Sequence, residues 1–163
     1  MAKSKEEKTN VMRVLEQKKI AYSAHTYPHE EGMAVDGVTV AKSMGFDPAI
    51  VFKTLVARGA SKQYYVFDVP VAENLDLKKA AKAVGEKSIE MIHQKELLPL
   101  TGYVHGGCSP VGMKKLFPTV FHSSAENLAA MIVSAGKIGY QVELAPHDLA
   151  ALVRAKFADI IVE

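Results

Sequence analysis

The sequence predicts a single α/β domain in which helices surround a mixed, largely antiparallel sheet. Segments with the apolar spacing of helices alternate along the chain with short runs rich in β-branched and aromatic residues. The 163 residues are 48% hydrophobic and 23% charged, which is typical of one compact domain. Because no repeat, low-complexity tract or linker interrupts the pattern, we expect residues 1–163 to form one domain.

The first predicted elements are a helix, a strand and a second helix. Thr9 or Ser4 is suited to cap a helix that ends near Ile20, because a side-chain oxygen can accept from the free amides of a first turn. A strand is expected over residues 22–27. A short second helix is expected to end at Gly45, because glycine tolerates the left-handed conformation that closes many helices.

The middle of the chain predicts a β-hairpin followed by a third helix. Residues 50–57 and 63–69 are β-rich, and a short connection that contains Gly59 separates them, so the two strands should pair antiparallel. Asp76 is a favourable N-cap for the helix that follows, and Gly85 marks its end.

The second half of the chain predicts short strands and one more helix. Four strands are bounded by Gly, Pro or Ser: residues 102–106, 119–123, 131–134 and 140–144. Pro146 and Asp148 favour the start of a last helix, and residues 159–162 are expected to add a closing strand.

The charge and cysteine content exclude several functional classes. The formal net charge is only +2, and only three of the 20 basic residues are arginine, whose planar guanidinium best reads base edges. Sequence-specific DNA recognition is therefore not expected. Cys108 is the only cysteine, so no internal disulfide can form. Since no apolar N-terminal stretch or spanning segment is visible, we expect a cytoplasmic protein with no membrane partner.

Common cofactor and metal signatures are missing as well. The chain has no GxxxxGK[ST], GxGxxG, CxxC or HExxH pattern, so we expect no cofactor. His25 and His29 are four residues apart, but Pro28 lies between them and they flank the end of a predicted strand. The helical spacing that would bring both rings to one metal ion is therefore not available, and no metal site is predicted.

Lys53 is the first candidate for a functional side chain. It interrupts residues 49–57, a run that is otherwise apolar except for Thr54, as in a strand covered on both faces. A buried lysine is costly unless it is paired, and it suits proton transfer or the binding of a phosphate or carbonyl oxygen. The alternative is that the stem is buried while the ammonium reaches solvent at the edge of the sheet.

A glycine-rich turn is the second candidate. Residues 102–112 run from a predicted strand into Gly106 and Gly107, and Pro110 restricts the turn. Because the two glycines have no Cβ atoms, a ligand can approach the main chain, whose N–H groups can hold an oxyanion. An ordinary tight turn is the alternative explanation.

Cys108, within this turn, is not predicted to be a nucleophile. His105 precedes it by three residues and could act as a base, but nothing in the spacing supplies a third group to orient the pair. We interpret Cys108 as a small, partly buried turn residue. The lysines at positions 78, 79 and 82 could contact a phosphate backbone, but a solvated helix face is the simpler explanation.

Several segments together resemble a known family. The matching segments are residues 8–10 (KTN), 51–55 (VFKTL), 102–115 (with GGCSP at 106–110), 133–137 (VSAGK) and 143–146 (ELAP). They are similar to the YbaK family of trans-editing proteins, which is related to the editing domain inserted in bacterial prolyl-tRNA synthetases. The similarity extends over essentially the whole chain, and the set of motifs is specific.

The resemblance implies a substrate, a partner and a set of site residues. The expected fold is that of the prolyl-tRNA synthetase editing domain, with a cleft that receives the aminoacylated 3′ end of tRNA(Pro). The expected activity is removal of cysteine attached to this tRNA by mistake, with prolyl-tRNA synthetase as the partner. The implied residues are the catalytic Lys53, the turn residues Gly106, Gly107, Cys108, Ser109 and Pro110, and the pocket-lining Tyr27, Thr54 and Ser134.

The resemblance also implies a mechanism in which the thiol of the substrate attacks its own ester carbonyl. An intramolecular thiol held in a pocket has a very high effective concentration, so the protein need only position it and stabilise charge. The turn amides would meet the developing oxyanion, and Lys53 would orient the ester or the adjoining phosphate. Two alternatives stay open: hydrolysis of another small aminoacyl ester, such as Ala-tRNA(Pro), and a module that binds aminoacyl or nucleotide ends without catalysis.

Overall fold

The computed structural model describes residues 8–163, in which helices and strands alternate. The helices are α1 (Asn10–Gln17), α2 (Gly37–Ser43), α3 (Leu77–Val84), α4 (Gln94–Thr101) and α5 (Pro146–Val153). The strands are β1 (Ser23–Thr26), β2 (Phe52–Gly59), β3 (Tyr64–Pro70), β4 (Ile89–Met91), β5 (Thr119–His122), β6 (Met131–Ser134), β7 (Tyr140–Leu144) and β8 (Ala155–Ala158). Short 3-10 turns cover Pro48–Ile50 and Ser123–Asn127.

Two sheets form the framework. The larger sheet has five strands in the order β4-β2-β3-β5-β8, in which β2 runs antiparallel to β3 and β4, whereas β3, β5 and β8 are parallel. The smaller sheet has the order β1-β7-β6, and both of its pairings are antiparallel. An isolated bridge between Val51 and Ile132 joins the two sheets. The predicted α/β fold is confirmed, with two bridged sheets in place of one central sheet.

The first helix begins at its predicted cap and ends slightly early. Thr9 Oγ1 accepts a hydrogen bond of 3.2 Å from the Met12 amide, whereas Ser4, the alternative cap, lies outside the described residues. The helix ends at Gln17 and buries Val11 and Leu15 completely. It is therefore attached to the same core as the larger sheet.

Left-handed glycines follow the next two helices as predicted, and the predicted aspartate caps the start of the second of them. Gly45, which follows α2, has a φ angle of 81°, and Gly85, which ends α3, has a φ angle of 76°. Asp76 accepts hydrogen bonds from the amides of Lys78 and Lys79, at 3.0 and 3.1 Å. These positions were predictable because each depends on residues within one turn.

The hairpin of β2 and β3 is formed as predicted, and its register decides which residues share a face. Thr54 lies directly opposite Asp68. Because side chains alternate between the faces of a sheet, this pair lies on the same side as Phe52 and Val56. Those two residues pack into the larger core cluster together with Cys108. Thr54 and Asp68 therefore face the part of the core that the glycine-rich turn covers.

The outer edge of β2 is only partly paired. On this edge β4 contacts residues 57–59, and the bridge to Ile132 involves only Val51. Within residues 8–163, positions 53–55 consequently have no strand partner on this edge. A cavity opens at this gap, and the three side chains line it.

The predicted strand over residues 102–106 is wrong. The structure instead contains α4, which was not predicted because Pro99 lies inside it. The helix begins with a hydrogen bond of 3.0 Å from the His93 amide to Glu96 Oε2. Gly102 and Gly106 have φ angles of 89°, which an extended strand cannot accommodate, and residues 102–118 are irregular.

The predicted closing strand is also displaced. Arg154 has a φ angle of 59°, so α5 ends there and the chain turns directly into β8, which pairs with β5. Residues 159–162 contain only an isolated bridge from Ile161 to Leu75. No helix in residues 8–163 has the length and apolar character needed to cross a membrane.

Candidate active site

A cavity of about 360 Å³ lies between the unpaired edge of β2 and the glycine-rich turn. Its walls also include the segment that leads into α2, Leu97 of α4, and the facing ends of β6 and β7. This volume lies within the range of small-molecule sites. Six of the nine residues singled out in the sequence line the cavity: Tyr27, Lys53, Thr54, Gly106, Cys108 and Ser134.

The other three, Gly107, Ser109 and Pro110, lie behind the cavity wall. All three are buried. A Cβ atom at Gly107 would come within 3.1 Å of the Ile138 amide nitrogen, so this glycine allows the turn to pack against the neighbouring loop. Ser109 Oγ accepts a hydrogen bond of 3.2 Å from the Val111 amide. These residues shape the turn and do not form the surface of the cavity.

Lys53 reaches the cavity as a half-buried cation. Within residues 8–163 it makes no hydrogen bond, and no carboxylate oxygen lies within 4.0 Å of its Nζ. Burial lowers the pKa of its ammonium, while the more distant carboxylates of Asp36 and Glu73 act in the opposite direction. An ammonium group in this setting is available to an anionic or carbonyl oxygen of a ligand.

The glycine-rich turn offers two backbone donors at the cavity. The Gly107 amide already donates to the Val104 carbonyl at 3.0 Å, and Pro110 has no N–H group. The amides of Gly106 and Cys108 find no acceptor within the described residues, and both residues line the cavity. The Ser109 amide also has no acceptor within the described residues, but Ser109 does not line the cavity, so Gly106 and Cys108 are the turn residues suited to hold an oxyanion there.

Gly106 is the position at which glycine is required by two independent constraints. Its φ angle is 89°, a conformation that residues with a Cβ atom rarely adopt. A Cβ atom built on it would lie 2.7 Å from the Cβ of Ala34. The turn consequently packs closely against the segment that leads into α2.

The Cys108 thiol is held in its neutral form. Its residue is 7% exposed, and burial together with the charge of Asp68 raises its pKa to about 12. His105, the base considered from the sequence, is exposed and makes no hydrogen bond to the thiol. A neutral thiol without a base is a poor nucleophile.

Asp68 is the principal residue that the sequence analysis missed. It is fully buried, and its Oδ1 accepts a hydrogen bond of 2.5 Å from Thr54 Oγ1. Its Oδ2 has no partner within the described residues, and burial raises the pKa of the carboxyl to about 7. The signal was present, because Asp68 interrupts an apolar strand as Lys53 does.

Other polar groups complete the wall of the cavity. Ser134 Oγ accepts a hydrogen bond of 3.0 Å from the Gly136 amide, and the Tyr27 ring lies 6.0 Å from the ring of His29. Gln141, which was not predicted, is 6% exposed and its Oε1 has no partner within residues 8–163. In the same residues no group of three His, Cys, Asp or Glu side chains is arranged to hold a metal ion.

Comparisons with known proteins point to one family. Residues 29–152 match the model of the aminoacyl-tRNA editing domain. A curated protein of Enterococcus faecalis (strain ATCC 700802 / V583), named "Putative Cys-tRNA(Pro)/Cys-tRNA(Cys) deacylase EbsC", is 46% identical over 161 residues, which cover 98% of each chain.

Solved structures share the fold at lower identity. The crystal structure described as "a putative trans-editing enzyme for prolyl tRNA synthetase" superposes with a TM-score of 0.78 at 24% identity, covering 94% of this chain and 95% of that one. The crystal structure of the hypothetical protein APE2540 gives a TM-score of 0.82 at 18% identity, covering 93% and 99% of the two chains. At these identities the two structures support the fold alone.

Proposed function

The chain belongs to the aminoacyl-tRNA editing domain family, and on this basis we propose that it is a deacylase that removes cysteine from mischarged Cys-tRNA(Pro). The curated relative is named for the cysteinyl esters of tRNA(Pro) and tRNA(Cys). The observation that carries the proposal is the cavity itself, in which Lys53, a cation without a partner in the described residues, lies with two free backbone amides. This combination suits an ester that develops negative charge as it is cleaved.

We propose that the substrate supplies the nucleophile. The cysteine sulfur attacks the ester carbonyl, the new S–C bond forms as the C–O bond to the ribose breaks, and the thiol proton passes to the departing ribose oxygen. The products are the deacylated tRNA and a four-membered thiolactone. The amides of Gly106 and Cys108 would meet the carbonyl oxygen as it becomes negative, and Lys53 would orient the ester or the adjoining phosphate.

The state of Cys108 supports this route. A buried thiol whose pKa is raised to about 12 remains protonated at neutral pH, so it cannot replace the thiol of the substrate. A substrate that carries its own thiol needs only orientation from the protein. Alanyl esters should consequently persist, because a methyl group cannot attack, and seryl esters should react slowly, because a hydroxyl is a much weaker nucleophile at neutral pH.

Selection of the tRNA is proposed to depend on prolyl-tRNA synthetase. A net charge of +2 provides weak, salt-dependent attraction for the tRNA body and little specificity. Addition of the synthetase should therefore increase the preference for Cys-tRNA(Pro) over Cys-tRNA(Cys) at physiological salt. Tight discrimination by this protein alone would contradict the role of a partner.

The proposal also includes the boundaries of the domain and the cellular location of the protein. The family match ends at residue 152, but α5 and β8 pack into the same structure, and α1 buries Val11 and Leu15 in the larger core cluster. We therefore treat residues 1–163 as one editing domain. Because its proposed substrate is used in translation, we expect the protein to act in the cytoplasm.

The test is the loss of labelled amino acid from Cys-tRNA(Pro) and Ala-tRNA(Pro), with the natural protein and with Lys53→Ala. Loss of only the cysteinyl ester, abolished by the substitution, is the expected result. Loss of the alanyl ester as well would favour hydrolysis. Retention of both esters, with binding of the aminoacyl end intact, would indicate a binding module and contradict the proposed activity.

A further inference from the structure

Asp68 is a buried carboxyl whose electrostatic partner is missing from the described residues. It is 0% exposed, and only one of its two oxygens receives a hydrogen bond. Thr54 is its only hydrogen-bond partner among those residues, and Thr54 lines the cavity. The carboxyl therefore contacts a residue of the cavity wall through the hydroxyl of that residue.

The hydrogen bond fixes the direction of that hydroxyl. A threonine hydroxyl has one hydrogen and two acceptor lone pairs. Because Asp68 Oδ1 takes the hydrogen, at 2.5 Å, Thr54 can present only lone pairs to a ligand. The Thr54 hydroxyl consequently accepts hydrogen bonds from a ligand and cannot donate them. A group that bonds to this hydroxyl must be a hydrogen-bond donor.

We propose that Thr54 receives the α-ammonium group of the aminoacyl ester and that Asp68 is the positioning residue, whose carboxylate orients the Thr54 hydroxyl and places a negative charge behind it. The inference deepens the proposed function and rests on it. The α-ammonium is the one cationic donor on a cysteinyl ester, and charge-assisted hydrogen bonds are stronger than neutral ones. Lys53, which also lines the cavity, is assigned to the ester or phosphate oxygens, so the cavity holds one residue for the anionic part of the substrate and one for its ammonium group.

The electrostatic environment favours this assignment. The pKa of Asp68 is raised to about 7, so a bound cation would shift the carboxyl towards its charged form. Lys53 lies on the adjacent position of β2 but its side chain starts on the opposite face of the strand. Asp36 is the competing carboxylate, since it also lines the cavity. However, its Oδ2 already accepts hydrogen bonds of 3.2 Å from the amide and the hydroxyl of Thr39.

The experiment compares two stable ligands that differ in the ammonium group. The first is 3′-cysteinylamido-3′-deoxyadenosine, in which an amide replaces the ester, and the second is its N-acetyl derivative. We expect the natural protein to bind the free amine about 10- to 100-fold more tightly, as measured by NMR titration. Asp68→Asn should reduce this ratio to below about threefold, because the charge behind Thr54 is removed.

Matched variants separate this contact from a structural effect. Thr54→Ser keeps the hydroxyl and should therefore keep the preference for the free amine over the N-acetyl ligand. Thr54→Val has no hydroxyl and should lose this preference. Asp36→Asn removes a carboxylate at the same cavity, preserves a favourable helix cap, and should keep the ratio. If Asp68→Asn does not fold, the comparison of Thr54→Val with Thr54→Ser still tests whether the Thr54 hydroxyl binds the ammonium group.

The inference would be overturned if Asp68→Asn kept the full ratio, if Asp36→Asn abolished it, or if the natural protein bound both ligands equally or not at all. These outcomes are distinct from failure of the proposed function, which is judged from cleavage of the esters. Cleavage without discrimination of the ammonium would contradict only the role of Thr54 and Asp68. Discrimination without cleavage would contradict only the proposed deacylase activity.

Discussion

Replacement of Asp68 by asparagine should stabilise the protein at neutral and alkaline pH. The side chain is 0% exposed, and its ionised form has no cationic partner in the described residues. Asparagine has nearly the same shape and can still accept the hydrogen bond from Thr54, but it cannot ionise. The substitution therefore removes the cost of a buried charge and leaves the packing in place.

The magnitude follows from the pKa of the carboxyl, which burial raises from 3.8 to about 7. At about 1.4 kcal/mol for each pK unit, the ionised form costs the folded state about 4 kcal/mol. Since the folded pKa lies above the unfolded value, the folded protein retains a proton that the unfolded chain loses between about pH 4 and pH 7. The free energy of unfolding of the natural protein should therefore fall as the pH rises through this interval. Asp68→Asn should not show this fall, because asparagine does not titrate.

Urea unfolding between pH 4.5 and pH 8 measures the difference. The free energy of unfolding of Asp68→Asn minus that of the natural protein should increase by about 3 kcal/mol over this range. Asp159→Asn is the control whose difference should stay nearly constant over this range, because a hydrogen bond from Lys79 lowers the pKa of the exposed Asp159 carboxyl, which is then ionised in both the folded and the unfolded state above about pH 5. A difference for Asp68→Asn that stays constant with pH would refute the assignment of a costly buried charge.

Two further substitutions test the glycine-rich turn. Cys108→Ala should retain deacylation, because a thiol with a pKa of about 12 takes no part in the chemistry, and complete loss of activity in a folded variant would identify Cys108 as a participant. Gly106→Ala should lower both the melting temperature and the rate of deacylation, because its φ angle of 89° and the Ala34 side chain 2.7 Å away both oppose a Cβ atom. Calorimetry and the ester assay measure the two effects, and an unchanged rate would contradict the role of the turn amides.

Much of the framework was predictable because it depends on local chemistry. Asp76 caps α3 and Gly85 ends it through contacts within one turn, and β6 and β7 occupy the predicted ranges. The prediction of secondary structure is wrong where the backbone conformation of single residues decides whether a strand can form. The composition of residues 102–106 is typical of a strand, but positive φ angles at Gly102 and Gly106 prevent it.

Part of the candidate site was predictable because charged residues are unusual within apolar strands. Lys53 is noticeable because a charge interrupts an apolar strand, and Asp68 carries the same signal. The contact between Asp68 and Thr54 could not be predicted, because it depends on the register of the hairpin. The burial of Gly107 depends on the neighbouring loop at Ile138, which lies far away in sequence.

The most direct test of the central claim is to identify the products released from Cys-tRNA(Pro) and Ser-tRNA(Pro), which differ only in sulfur and oxygen. If the substrate supplies the nucleophile, the cysteinyl ester should be cleaved rapidly to a thiolactone that then opens to cysteine, while the seryl ester persists. Cleavage of both esters at similar rates, with free amino acids as the first products, would contradict the account and assign the reaction to an activated water molecule.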